Sequence, residues 1–257
     1  MNLCNKKIVV TGAGSGIGRA TSIELSRDPY VDLILVGRRV EALDETLSLL
    51  SHRANHRLLS LDLSQASLVD HALKDYLTEG QLYAIIANAG VAGENHPGKD
   101  DRWNEIINTN LTGTYHFLQA CIPYLKTATH PWKHIVITSS VLARIGVPYY
   151  SAYCASKAGL LGLMRSLAAE LAQNRILVNA ICPGWVETEM ALQGIKQSAD
   201  KKNISIDDER ERQMNFVPLG KMSKPHEVAA VVKFLISNQQ TSVTGQAIDL
   251  NNGSWMG

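Results

Sequence analysis

The stretch Tyr149–Lys157 reads YYSAYCASK. Side chains four apart on a helix share one face, with Cβ atoms about 5–6 Å apart. At that spacing Tyr149 is followed by Tyr153, Tyr150 by Cys154, and Tyr153 by Lys157. A free phenol titrates at about 10 and is a poor proton donor or acceptor at neutral pH. A neighbouring ammonium favours the phenolate and lowers that value. Tyr153 with Lys157 is therefore the pair suited to moving a proton to or from a substrate oxygen. Tyr149 and Tyr150 are expected to line a pocket or pack, and Cys154 to be a small buried residue.

A second stretch, TGAGSGIG (11–18), has chemistry of another kind. It follows an apolar run and precedes a helical pattern. A glycine-rich turn there lets backbone N–H groups approach a phosphate, and the helix N-terminus adds partial positive charge. Gly12, Gly16 and Gly18, with Ser15 and Ile17 between, are the cofactor-binding candidates. Their spacing does not match G-x-G-x-x-G in any register. Beyond them the next apolar run ends LVGRRVEAL (35–43). An acid at that point holds the ribose of NAD(H), whereas a base accommodates the extra phosphate of NADP(H). Gly37 stands in the acid's place, followed by Arg38 and Arg39, so NADP(H) is expected over NAD(H). The alternative is that these arginines are solvated loop residues.

The elements that must position these groups are legible as alternating runs. Seven short apolar stretches, KIVVT (7–11), LILVG (33–37), RLLSL (57–61), AIIAN (84–88), HIVIT (134–138), LVNAI (177–181) and QAIDL (246–250), read as strands. Most are continuous rather than alternating, which fits strands buried on both faces of a parallel sheet. Helical patterns fill the gaps at about 16–27, 40–51, 66–79, 102–126, 152–173 and 224–237. The expectation is one α/β domain over 1–257, a doubly wound, Rossmann-like parallel sheet of about seven strands with helices on both faces.

Composition narrows the function classes. The chain has 257 residues, 45% hydrophobic and 19% charged, with a formal net charge of +1. That balance implies no bulk attraction to nucleic acid or anionic membrane. No apolar run approaches the ~18 residues of a membrane span. The four cysteines, Cys4, Cys121, Cys154 and Cys182, are scattered and read as reduced thiols of a cytoplasmic protein. His52 and His56 have helical spacing without the glutamate of a zinc-protease motif, so two solvated histidines and no metal are expected.

Tyr153-x-x-x-Lys157 with Thr11-Gly12-x-x-x-Gly16-x-Gly18 resembles the short-chain dehydrogenase/reductase family. Further family elements follow in order: NAG (88–90), NTNLTG (108–113), TSS (138–140) and CPGWVET (182–188). The similarity spans essentially the whole chain and is nearest in kind to 3-oxoacyl-ACP reductases and polyketide ketoreductases. It implies that Ser140 stabilises a substrate oxyanion, with Ser139 as rival. It implies that Tyr153 is the acid or base, and that Lys157 lowers its pKa and holds the nicotinamide ribose. Asn110 would hold a relay water, with Asn108 as rival. Asn88, Ala89 and Gly90 would pack beside the cofactor, and Asp62 with Leu63 would meet the adenine. Pro183, Gly184, Val186 and Thr188 would lie at the nicotinamide and phosphates.

The resemblance also gives the strand-free segment 187–213 an address. Its stretch KQSADKKNISIDDERERQ carries five basic and five acidic residues. By charge it reads as two solvated helices, the second opened by Ser205 and Asp208. By position it reads as a substrate lid, with Met190, Leu192, Ile195 and Ile204 facing the pocket. The helix 158–172 is apolar around much of its circumference, which suggests a homo-oligomer, a tetramer or dimer. The implied activity is NADP(H)-dependent interconversion of a ketone and a secondary alcohol on a small-molecule, β-ketoacyl-like substrate. The alternatives are an oxidatively working hydroxyacid or alcohol dehydrogenase and a non-catalytic cofactor-binding regulator. The C-terminal DLNNGS (249–254) departs from the family by placing two asparagines before one glycine.

Overall fold

The strands are β1 (Lys6–Thr11), β2 (Val31–Gly37), β3 (Arg57–Ser60), β4 (Leu82–Ala87), β5 (Lys133–Thr138), β6 (Ile176–Pro183) and β7 (Ala247–Leu250). All pair in parallel, in the order β3-β2-β1-β4-β5-β6-β7. The computed structural model describes residues 5–52 and 56–257; Cys4 lies outside them.

Strands β4, β5 and β6 are buried along their whole length, which is why their sequences run apolar without alternation. Their side chains still alternate between two cores. Val9, Ile135, Ile137, Val178 and Ala180 join the core on one face. Ile8, Val10, Val136 and Ile181 join the core on the other. Helices α3 (Ala66–Lys74), α5 (Gly113–Lys126) and α6 (Ser151–Leu171) cover the first face. Helices α1 (Gly16–Leu25), α2 (Val40–Ser48) and α9 (Pro225–Leu235) cover the second.

The strand order reverses between β1 and β4, where Val10 pairs with Ile86. Both strands therefore end at one crevice, the place where open α/β sheets bind ligands. Among the described residues no helix is long and apolar enough to cross a membrane.

Helix α6 begins at Ser151, as the pattern from about 152 predicts, so Tyr149 and Tyr150 precede it, and Tyr149 adopts φ +65°. Three expectations are corrected here. The 102–126 pattern is not one helix: α4 (Trp103–Ile107) passes through a π-turn, Asn108–Thr112, into α5. His56 is not solvated. It is 7% exposed, its Nδ1 accepts the Leu33 N–H at 3.1 Å, and its Nε2 bonds the Ser51 carbonyl at 2.8 Å. Cys154 is half-buried rather than buried, with Sγ 3.8 Å from the Ile145 carbonyl.

Candidate active site

The glycine turn is shaped by what it cannot admit. Gly12 and Gly16 have φ of +65° and +52°, in the left-handed region that favours glycine. A Cβ on Gly18 would lie 2.1 Å from the Gly12 carbonyl oxygen, so α1 packs directly on the turn. Thr11 joins the turn to β4: its Oγ1 accepts the Asn88 and Ala89 N–H groups at 2.9 and 3.0 Å. The Asn88 side chain donates back to the Thr11 carbonyl at 3.2 Å. Thr11 is a positioning residue that its motif offered but its chemistry did not single out.

Two cavities flank this turn. One, of about 120 Å³, is lined by Gly12, Arg38, Asp62, Leu63, Ala89 and Gly90, among others. The other, of about 450 Å³, takes in Ser15, Gly16, Arg39 and Thr188. The expected cofactor residues thus divide between two neighbouring spaces, with Arg38 in the first and Arg39 in the second. Ile17, Gly18, Asn88, Pro183, Gly184 and Val186 line neither. Pro183 ends β6, a Cβ on Gly184 would meet Asn251, and Val186 is 5% exposed in a bridge to Ser223. The residues present fit a phosphorylated dinucleotide: a turn with no room for side chains, a helix N-terminus, and basic rather than acidic residues after β2.

The proton-moving candidates converge at the ends of β4 and β5. Lys157 is buried, its Nζ donates to the Thr138 carbonyl at 2.9 Å and lies 5.6 Å from the Tyr153 ring centroid. Ser139 turns inward and donates to the Lys157 carbonyl at 2.8 Å. Ser140 instead caps the short 3₁₀ turn Val141–Ala143, accepting the Leu142 N–H at 3.1 Å, and its hydroxyl lies near enough to the Tyr153 phenol to lower that group's pKa. Asn110 is fully buried, whereas Asn108 is exposed. Its side chain exchanges both bonds with the Val91 backbone, at 2.8 and 2.9 Å, and donates to Ser156 Oγ at 3.1 Å. The π-turn, a frequent feature of functional sites, delivers it there. A Cβ on Gly90 would be 3.1 Å from Asn110 Oδ1 and 3.4 Å from Lys157 Nζ, so these groups meet at Gly90. Ser156 was not expected; on sequence it is one serine among several.

The electrostatics run against the simple expectation. Burial pushes the Tyr153 phenol up to about 12, with the Ser140 hydroxyl pulling it partly back. Burial also lowers Lys157 to about 8. Desolvation dominates, and the phenol keeps its proton through neutral pH.

The charged segment forms α7 (Glu189–Lys202) and α8 (Ile206–Met214). Ser205 caps α8 by accepting the Asp208 N–H at 3.0 Å, as its spacing predicts. The pair is not merely solvated. Ile195 lies in a small core with Met214, Val217 and Met222 instead of facing a pocket. Met190 and Leu192 are exposed. Glu209, within the charge run, is 0% exposed and accepts from Ser198, Lys202 and Gln213 at 2.6–2.8 Å. Burial would raise its carboxyl, but those bonds hold it at about 2.

Comparison with known proteins agrees with this geometry. Residues 12–254 match a family model described as enoyl-(acyl carrier protein) reductase. The 3-oxoacyl-(acyl-carrier-protein) reductase FabG of Pseudomonas aeruginosa is 32% identical over 265 residues, with 100% of both chains covered. That of Vibrio harveyi is 32% identical over 262 residues, again with 100% of both covered. A substituted actinorhodin polyketide ketoreductase solved with NADPH superposes with TM-score 0.85 at 29% identity, covering 97% of each chain. Levodione reductase does so with TM-score 0.86 at 26% identity, also over 97% of each.

Proposed function

The chain belongs to the short-chain dehydrogenase/reductase family, and from that premise we propose that it is an NADP(H)-dependent ketoreductase reducing a β-ketoacyl-like ketone to a secondary alcohol. The observation that carries the reading is the meeting of Ser140, Tyr153 and Lys157 beside the glycine turn. Two hydroxyls at one site suit a carbonyl oxygen that becomes an alkoxide, which favours ketone over enoyl reduction.

When bound, the nicotinamide supplies the hydride that the carbonyl carbon receives. Tyr153 gives its phenolic proton to the carbonyl oxygen, and Ser140 donates a hydrogen bond to that oxygen as its charge develops. A phenol that holds its proton at neutral pH is ready to act as the acid of the reductive step. Lys157, held near the ring, replaces the proton through water kept by Asn110. The glycine turn and Thr188 take the phosphates, and Arg38 and Arg39 the 2′-phosphate. The α7–α8 pair is the substrate lid of a single domain. A cytoplasmic homo-oligomer, tetramer or dimer, completes the proposal; the exposed face of α6 with Ala158, Gly162 and Ala169 offers it a surface of small side chains.

The test is a fluorescence titration with NADPH and with NADH, followed by NADPH oxidation in the presence of a 3-oxoacyl thioester. Tighter NADPH binding and turnover are expected. Tyr153→Phe should keep cofactor affinity and lose roughly 10²–10⁴-fold in turnover. Normal turnover by that variant would sink the role of Tyr153, and tighter NADH binding would overturn the cofactor.

A further inference from the structure

The larger cavity beside the glycine turn is lined by five charged side chains, Arg19, Arg39, Glu45, Glu187 and Glu189. Three of them are engaged elsewhere. Arg19 donates to the Gly14 carbonyl at 2.7 Å and to Thr46 Oγ1 at 3.0 Å, and pairs with Glu45 at 2.5 Å. Glu187 pairs with Arg210 at 3.0 Å and Lys224 at 2.5 Å. Arg39 and Glu189 have only each other among the described residues, with Nη2 and Oε2 3.8 Å apart and both side chains about two-thirds exposed. Arg39 is the N-cap residue of α2 and Glu189 the first residue of α7. Ser15, whose side chain makes no cap bond to α1, lines the same cavity.

We propose that Glu189 sets the balance between the two nicotinamide cofactors by competing with the 2′-phosphate for Arg39. This rests on the NADP(H) reading above. An exposed pair at this separation is weak and screened by salt, so it is displaceable. A phosphate offers the guanidinium paired, charge-assisted hydrogen bonds. The carboxylate it displaces stays nearby and repels it. NADH carries no group that competes for Arg39, so Glu189 weakens NADPH binding and leaves NADH alone. The turn that carries Glu189 is itself capped by Thr188, whose Oγ1 accepts the Ala191 N–H at 3.3 Å, so the carboxylate stays in place when the phosphate binds.

The experiment titrates the full chain with NADPH and NADH at low and high salt. The variants are Glu189→Gln, Arg39→Gln and the double substitution. Glu41→Gln serves as control, an acid in the first turn of α2 that does not line the cavity. Glu189→Gln should tighten NADPH roughly three- to tenfold and NADH by less than about twofold. Arg39→Gln should erase that gain, and high salt should shrink it. An unchanged NADPH affinity, equal tightening of both cofactors, or the same gain from Glu41→Gln would overturn the inference. A wild-type chain without NADPH preference, together with a silent Arg39→Gln, would overturn the cofactor reading instead.

Discussion

The glycine turn and the α7–α8 pair flank one cleft and are built by opposite means. The turn is backbone packed on backbone, with the Gly18 Cα close beneath the Gly12 carbonyl and Thr11 stitching it to β4. The pair is held by side chains, with Glu209 buried between α7 and α8 and ion pairs at its ends. A steric device tolerates almost no change in shape but ignores pH. An electrostatic one tolerates shape changes and depends on charge. Under the proposed function, a cleft with one wall of each kind would give the phosphate a fixed place beneath an adjustable cover.

The sharpest way to break the comparison is to add the same methyl group to both walls. Gly18→Ala places a carbon 2.1 Å from a carbonyl oxygen. It should destabilise the chain by about 3 kcal/mol, and displacing the turn should weaken NADPH binding at least roughly tenfold. Chemical denaturation and titration would show both, and a neutral result would mean that the turn gives way more easily than its packing implies.

Acid should separate the regions next. His134 in β5 is 1% exposed, and burial lowers its pKa from 6.5 to about 4. The unfolded chain therefore binds a proton near 6.5 that the folded chain refuses until about 4. Stability falls as pH drops through that window, by about 3 kcal/mol in all. Glu209 is also depressed, but from 4.5 to about 2. Its contribution is fully present above 4.5 and is lost only as pH falls towards 2. The sheet should thus weaken before the α7–α8 staple does. Denaturation from pH 7 to 4 should show the first loss and His134→Phe should blunt it; an unblunted loss would point to other groups.

Glu209→Gln removes the charge while keeping one acceptor. Loosening of α7–α8 by about 1–3 kcal/mol is expected, seen as faster amide exchange there, with cofactor affinity changed less than about twofold. Coupled loss of NADPH binding would show that the two walls are not independent. The smallest effect has the opposite sign. Gly194 lies inside α7 with nothing within 4 Å of its would-be Cβ. Gly194→Ala should stabilise by up to about 1 kcal/mol, and a loss would place an unseen neighbour over that face.

Much of the molecule is written locally. Continuous apolar runs located every strand of the sheet. The Tyr153–Lys157 spacing holds because both lie in α6, whose period is independent of anything distant. The glycines of the turn were legible because their conformations are local. Other features were decided only when remote segments met. Tyr149, just before the start of α6 at Ser151, takes a left-handed φ of +65° that its sequence does not announce. His56 and Glu209 read as solvated polar residues, and the fold buried both: His56 meets the Leu33 N–H of a distant strand, and Glu209 meets Ser198 and Lys202 only once α7 folds back on α8. The Tyr153 phenol was expected to be lowered by its lysine and is raised, since burial is a property of the assembled site. Arg39 and Glu189 are 150 residues apart in the chain and 3.8 Å apart in space. Sequence alone determined what repeats over a few residues: strand, helix, turn and the four-residue face. Tertiary structure decided burial and long-range charge, because desolvation and Coulomb energy depend on everything packed around a group, not on its neighbours along the chain.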